Sequence, residues 1–200
     1  MALRLPTANP PSAMKQIRLA DVVVGLIGLA AAAASIWAVP GVSGFLGVGL
    51  ALLMLAIAVV DYRYFIIPNE LTAAALALAA VNAVFALAPS IVESVAGAAL
   101  RGTITMLFFL SLRWLYRRLR QREGLGLGDV KLAFVAGAWL DWAMIPVAIE
   151  IAALAALAAY GAWQIFGRRP LDATSRLPFG LFFAPAIWLT WLLGAVLFAF

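Results

Sequence analysis

The stretch VSGFLGVGLALLMLAIAVVD, residues 42–61, stays apolar from Val42 to Val60 and then stops on an aspartate. An uninterrupted apolar run of that length fits a helix crossing a hydrocarbon core of about 30 Å. A carboxylate at the edge of hydrocarbon is costly, so Asp61 calls for a reason. The rest of the chain has the same character: 200 residues, 66% hydrophobic and 12% charged, with a mean hydropathy of +1.06. No soluble core accommodates that composition. The alternating ten-residue pattern of a membrane β-barrel is absent. The fold class is therefore all-α, a polytopic helical membrane protein with spans near 19–39, 42–60, 70–88, 97–116, 129–143, 146–166 and 179–199. That gives about seven transmembrane helices. Six is the alternative, because the division of Val130 to Gly167 rests only on LDWAMIP, Leu140 to Pro146. Residues 1–18 read as a cytoplasmic N-terminal tail, and 19–200 as a single transmembrane domain.

The chain contains no cysteine and no histidine. Ser-His-Asp triads, Cys-His dyads, thiolate metal sites and His-Glu zinc sites are thereby excluded, and no metal site or cofactor is expected. Proton transfer falls to Asp, Glu, Lys or Tyr.

Lys and Arg give the orientation. Arg4, Lys15, Arg18, Arg63, Arg113, Arg117, Arg118, Arg120, Arg122, Lys131, Arg168, Arg169 and Arg176 fall on one side of these spans, and Arg101 alone lies toward the other. The positive-inside rule makes the basic side cytoplasmic. The net charge of +5 is then an orientation signal rather than a nucleic-acid footprint. Asp61 ends the second span and Asp129 begins the fifth, so both sit at one depth near the cytoplasmic face, where a helical bundle can bring them together.

Asp61 opens DYRYFIIPNELT, residues 61–72, and Asp129 follows GLGLG, residues 124–128. Each has a plain structural reading. Asp61 can mark a helix end, Arg63 can be an interfacial anchor, and Pro68 with Asn69 can stop the loop and cap the third span. Asp129 can be an N-cap after a flexible loop whose glycines, Gly126 and Gly128 among them, permit close helix approach. A phosphate loop is disfavoured, because the GK[ST] ending and a preceding strand are missing.

Together, however, these stretches resemble the type IV prepilin peptidases, membrane aspartic proteases of the GxGD type. The resemblance is carried by Asp61 followed by Ile67, Pro68 and Asn69, then by GLGDVKL from Gly126 to Leu132, which includes Gly128 and Lys131. A third patch, LPFGLFFAPA from Leu177 to Ala186, contributes Pro178 and Gly180. The resemblance implies that Asp61 and Asp129 are a catalytic pair that cuts the leader from prepilin or pseudopilin precursors at the cytoplasmic membrane boundary, in pilus biogenesis or protein secretion. It also implies that this chain, as a short form without the cysteine-bearing cytoplasmic insert, cleaves without methylating. Two adjacent carboxylates can share one proton, so that one serves as base on water and the other donates to the scissile carbonyl. Their titration is coupled, which leaves the roles open. A helix N-terminus and Lys131 bias Asp129 toward the ionised base, whereas Asp61 sits at a helix C-terminus.

Two other functions fit parts of the pattern. A presenilin or signal-peptide-peptidase type GxGD protease would suit LGLGD, Leu125 to Asp129, but has tyrosine where Val60 stands. A non-enzymatic transporter or assembly scaffold would use the acids to carry protons or pair helices, though no inverted repeat supports a transporter. Lys131 reads either as an electrostatic partner of the aspartates or as a snorkelling interfacial lysine. Asn82 and Glu150 could line a wet cavity or join helices. RWLYRRLRQR, Arg113 to Arg122, reads as an anchor on anionic lipid, with contact to a basic leader as the lesser alternative. Oligomeric state is not legible.

Overall fold

The computed structural model describes residues 11–85, 90–121, 124–166 and 178–197. Among them are seven helices and no strand: α1 (Pro11–Ala38), α2 (Val42–Tyr64), α3 (Asn69–Phe85), α4 (Ile91–Arg120), α5 (Leu127–Trp139), α6 (Met144–Phe166) and α7 (Phe179–Leu197). Five of these are long and apolar enough to cross a membrane, and the chain is a multi-pass helical membrane protein. Lipid-facing Leu26 and Leu29 of α1 and Leu157 of α6 are exposed, as a bilayer solvent allows.

The expected spans are found with altered ends. Helix α1 begins inside the segment read as a tail, at Pro11, and α4 is 30 residues long, extending past both ends of its expected span. The break within LDWAMIP is present. Helix α5 stops at Trp139, the Asp141 carbonyl accepts the N–H groups of Met144 and Ile145, and α6 starts there. Pro146 falls in the first turn of α6, where a missing N–H costs nothing.

Helix α5 is the exception in length. Its 13 residues make roughly 20 Å of helix, short of a full crossing. It can be short because protein surrounds it: α3, α4 and α7 pack around it, and Leu132, Ala133, Val135 and Ala136 are fully buried. Leu50, Met54 and Ile57 of α2 and Phe183 and Ile187 of α7 complete the core. Trp139 ties α5 to α3 by donating its indole N–H to the Ala75 carbonyl at 3.1 Å.

Small residues set the closest approach, as expected where helices pack without a hydrophobic drive from water. A Cβ on Gly137 of α5 would lie 2.5 Å from the Arg101 carbonyl oxygen of α4, and one on Gly102 would lie 2.9 Å from that of Phe134. Backbone meets backbone there, and no flexible side chain can yield. Gly137→Ala is therefore expected to destabilise the bundle by about 1–3 kcal/mol, read as a lowered thermal midpoint in detergent. Gly161→Ala, where a Cβ meets nothing within 4 Å, should leave the midpoint unchanged; equal midpoints for the two variants would contradict this packing.

Candidate active site

Helix α2 closes on Phe65, whose left-handed backbone (φ 55) returns its N–H to the Asp61 carbonyl at 2.9 Å. That closure turns the chain inward, and Ile67 is buried just before Pro68, which precedes α3. The Pro68 carbonyl accepts both the backbone N–H and the hydroxyl of Thr72. The sequence element IPN is thus the rigid return between two helices.

The Asp61 side chain points into the bundle and is 5% exposed. Its Oδ2 accepts the N–H of Leu181 at 3.0 Å, and the Gly180 N–H bonds the same carboxylate. Both donors belong to the first turn of α7, where N–H groups have no intrahelical acceptor. Gly180 is required by space: a Cβ there would sit 2.7 Å from Asp61 Oδ2 and 2.8 Å from Ile67 Cδ1. Pro178 immediately precedes α7, while Leu177 lies outside the described residues.

Asp129 is the third residue of α5 and is 9% exposed. Its Oδ2 accepts the N–H of Gly126 at 3.0 Å. Arg113 of α4 donates to the Leu125 carbonyl, which pins the glycine loop, and its charge also acts on Asp129. Gly128 abuts Ile67, with a Cβ there only 3.0 Å from that of Ile67. Ile67 therefore fills the space against both Gly128 and Gly180, and the three sequence patches converge on it. The two carboxylates lie close enough for the charge of Asp61 to act on Asp129.

Some residues occupy different roles from those the sequence indicated. Lys131 reaches Asn69, its Nζ 2.6 Å from Oδ1, and so joins α5 to α3 at the exposed edge of the site. Arg113, read as an anchor, supports the site. The helix-dipole contrast between the aspartates disappears, because the Asp61 carboxylate lies against the N-terminus of α7 just as Asp129 lies in that of α5. Asp21 pairs with Arg63 at 3.3 Å in the open. Arg118 lies over the Trp114 ring. Glu150 is exposed on α6 and Asn82 belongs to the far end of the bundle. Glu123, Arg122 and Asp172 lie outside the described residues. No cluster of three or more His, Cys, Asp or Glu side chains that could hold a metal occurs among the described residues.

A buried aspartate pair reached through an IPN turn and a GxGD loop defines a class, and comparison with known proteins agrees with it. A sequence model of the type IV leader peptidase family matches residues 48–161, which include both aspartates. The chain belongs to that family. Similar curated proteins are prepilin leader peptidase/N-methyltransferases. That of Dichelobacter nodosus is 34% identical over 143 residues, covering 71% of this chain and 46% of the relative. That of Burkholderia pseudomallei (strain K96243) is 32% identical over 142 residues, 68% of this chain and 42% of the relative. That of Pectobacterium carotovorum subsp. carotovorum is 30% identical over 165 residues, 82% and 56% respectively. The chain spans about half the length of these curated relatives. No solved structure matches.

The convergence on Ile67 can be tested without reference to activity. In the double variant Ile67→Cys/Gly128→Cys the two Cβ atoms start 3.0 Å apart, and a small shift reaches the roughly 3.5–4.5 Å of a disulfide. With no native cysteine present, oxidation should give an intramolecular bond, visible as a reductant-sensitive shift in gel mobility. Two freely alkylated thiols after oxidation would contradict the juxtaposition.

Proposed function

We propose that residues 19–200 act as one membrane-embedded aspartic endopeptidase domain that removes the leader peptide from prepilin or pseudopilin precursors. The observation that carries this reading is that two buried carboxylates, Asp61 and Asp129, lie about one shared side chain, Ile67, packed against Gly180 and Gly128 at one end of an apolar bundle. In this mechanism the ionised carboxylate takes a proton from water as its oxygen bonds to the scissile carbonyl carbon, and the protonated one donates to the carbonyl oxygen. Collapse of the tetrahedral intermediate breaks the C–N bond, and the proton taken from water passes to the leaving amine. The step uses the two carboxylates, a water and the peptide. The N–H groups of Gly180 and Leu181 hold Asp61 in place, Gly126 holds Asp129, and Arg113 offsets the negative charge of the site.

An apolar cavity of about 560 Å³ lies between α1, α2 and α7 on the Asp61 side of the site. Leu181, whose N–H binds Asp61, lines it together with Tyr62, Ala58 and Pro185. A hydrophobic segment following the scissile bond would lie there, with its leader outside the bilayer. Arg63, Arg113, Arg117, Arg118, Arg120 and Lys131 share the aspartate end, which supports a cytoplasmic placement in a bacterial inner membrane. At the aspartate end α2 and α3 are joined only through residues 65–68, and the sequence holds no cysteine for the cysteine-bearing insert; on this basis we propose cleavage without methylation. Intact mass of a product processed by this chain alone checks it: an added methyl group at the new N-terminus would contradict it.

Asp61→Asn and Asp129→Asn are each expected to slow cleavage of a co-expressed precursor by about 10²–10⁴-fold, seen by gel mobility, with insertion unaffected. Asp21→Asn should cleave normally, since its exposed ion pair is worth at most about 1 kcal/mol. Near-native cleavage by either dyad variant would rule out the aspartic mechanism. For orientation, Tyr64→Cys and Arg120→Cys should react with an impermeant thiol reagent only from the cytoplasmic side of the membrane. Labelling from the periplasm would invert the topology.

A further inference from the structure

At the end of the bundle opposite the aspartates lies a cavity of about 710 Å³, within the roughly 300–1,000 Å³ of small-molecule pockets. Unlike the cavity beside Asp61, its wall is polar in part. Arg101, Asn82, Ser94, Thr190, Glu93 and Asp141 line it. Thr190 is fully buried and its hydroxyl has no hydrogen-bond partner, and the buried Ser94 hydroxyl likewise has none. Buried hydroxyls left unpaired in an apolar bundle are costly, and their presence in the wall of a cavity points to something that occupies it.

Arg101 sets the chemistry. It lies ten residues into α4 from Ile91 and is part-buried in the cavity wall. Its Nε donates to the Gly137 carbonyl at 3.3 Å, near the C-terminus of α5. Among the described residues no carboxylate forms an ion pair with its guanidinium. The Gly102–Gly137 contact between α4 and α5 places Arg101 here by backbone packing. The negative groups are elsewhere in the same cavity: Glu93 lies two turns nearer the start of α4, and Asp141 just beyond α5, and both are exposed. The guanidinium and the two unpaired hydroxyls thus share one cavity with the carboxylates, which stand at its exposed rim.

A phospholipid entering from that leaflet presents a phosphate toward the hydrocarbon and, when its headgroup carries one, an ammonium toward water. We propose that this cavity binds a phosphodiester bearing a primary ammonium, as in an ethanolamine phospholipid, with the phosphate on Arg101 and the ammonium between Glu93 and Asp141. The phosphate accepts from guanidinium N–H groups as a charge-assisted bond and gives the Ser94 and Thr190 hydroxyls an acceptor. The ammonium offers three donors to the two carboxylates, which a trimethylated choline cannot. The site is separate from the aspartate pair and does not depend on the peptidase chemistry.

Native mass spectrometry of the full chain in detergent, titrated with ethanolamine, choline and glycerol phospholipids of identical acyl chains, tests it. The ethanolamine lipid should bind about tenfold or more tighter than the other two, and Arg101→Gln should weaken all three by a similar factor. Arg120→Gln, which removes a charge at the opposite end, should change none. Glu93→Gln/Asp141→Asn alters exposed positions, so it tests the assignment even if Arg101→Gln fails to fold; it should abolish the ethanolamine preference while phosphate-dependent binding persists. Displacement of the lipid by glycerophosphoethanolamine would make the free headgroup a sufficient ligand, and its failure to displace would assign the site to the intact lipid. Equal affinity for the three lipids in the native chain, or an ethanolamine preference that survives in the double variant, would overturn the proposal.

Discussion

Two carboxylates buried in an apolar bundle need hydrogen-bond donors, and a helix interior has none to spare. Each finds them where a helix begins. Asp61 takes the unused N–H groups of Gly180 and Leu181, and Asp129 takes that of Gly126. Left unpaired, such groups would each cost several kcal/mol in desolvation. This one requirement orders much of the bundle. It brings the start of α7 against the end of α2, and it requires a glycine at 180, where a Cβ would strike the carboxylate it serves.

The same economy of space continues outward from the aspartates. Ile67 is held between Gly128 and Gly180, so the turn after α2, the loop before α5 and the start of α7 are fixed relative to one another by one apolar side chain. Lys131 and Asn69 close the exposed edge, and Arg113 ties the glycine loop to α4. Further along, Gly102 and Gly137 let α4 and α5 meet backbone to backbone. Because α5 is then enclosed by protein, it can be shorter than a full crossing and can carry a carboxylate near its start without exposing it to lipid.

Hydropathy alone located the helices, because the apolar runs are long and the polar breaks at Asp61 and at Leu140 to Pro146 are distinct. The depth shared by Asp61 and Asp129 followed from helix order, and the flanking IPN and GLGD residues set them apart from the other acids. The contact between Asp61 and Leu181 could not be read, since it joins residues 120 positions apart through backbone N–H groups that no side-chain pattern announces. For that reason Asp61 looked disfavoured at the end of α2, when its carboxylate in fact meets the opposite pole of α7. Arg113 was hidden among the neighbouring arginines of α4. Helix ends were the least legible feature: α1 and α4 extend past their apolar cores because polar residues continue a helix into the interface without a hydropathy signal.

The central claim is that Asp61 and Asp129 form one reaction centre rather than two neighbouring polar sites. An experimental structure of the chain bound to a precursor mimic, with a hydroxyl-bearing tetrahedral carbon in place of the scissile carbonyl, tests it most directly. Both carboxylates should lie within about 2.6–3.2 Å of the hydroxyl oxygens, with Leu181 still donating to Asp61. A mimic whose hydroxyl contacts one aspartate alone, or binds away from both, would contradict the account.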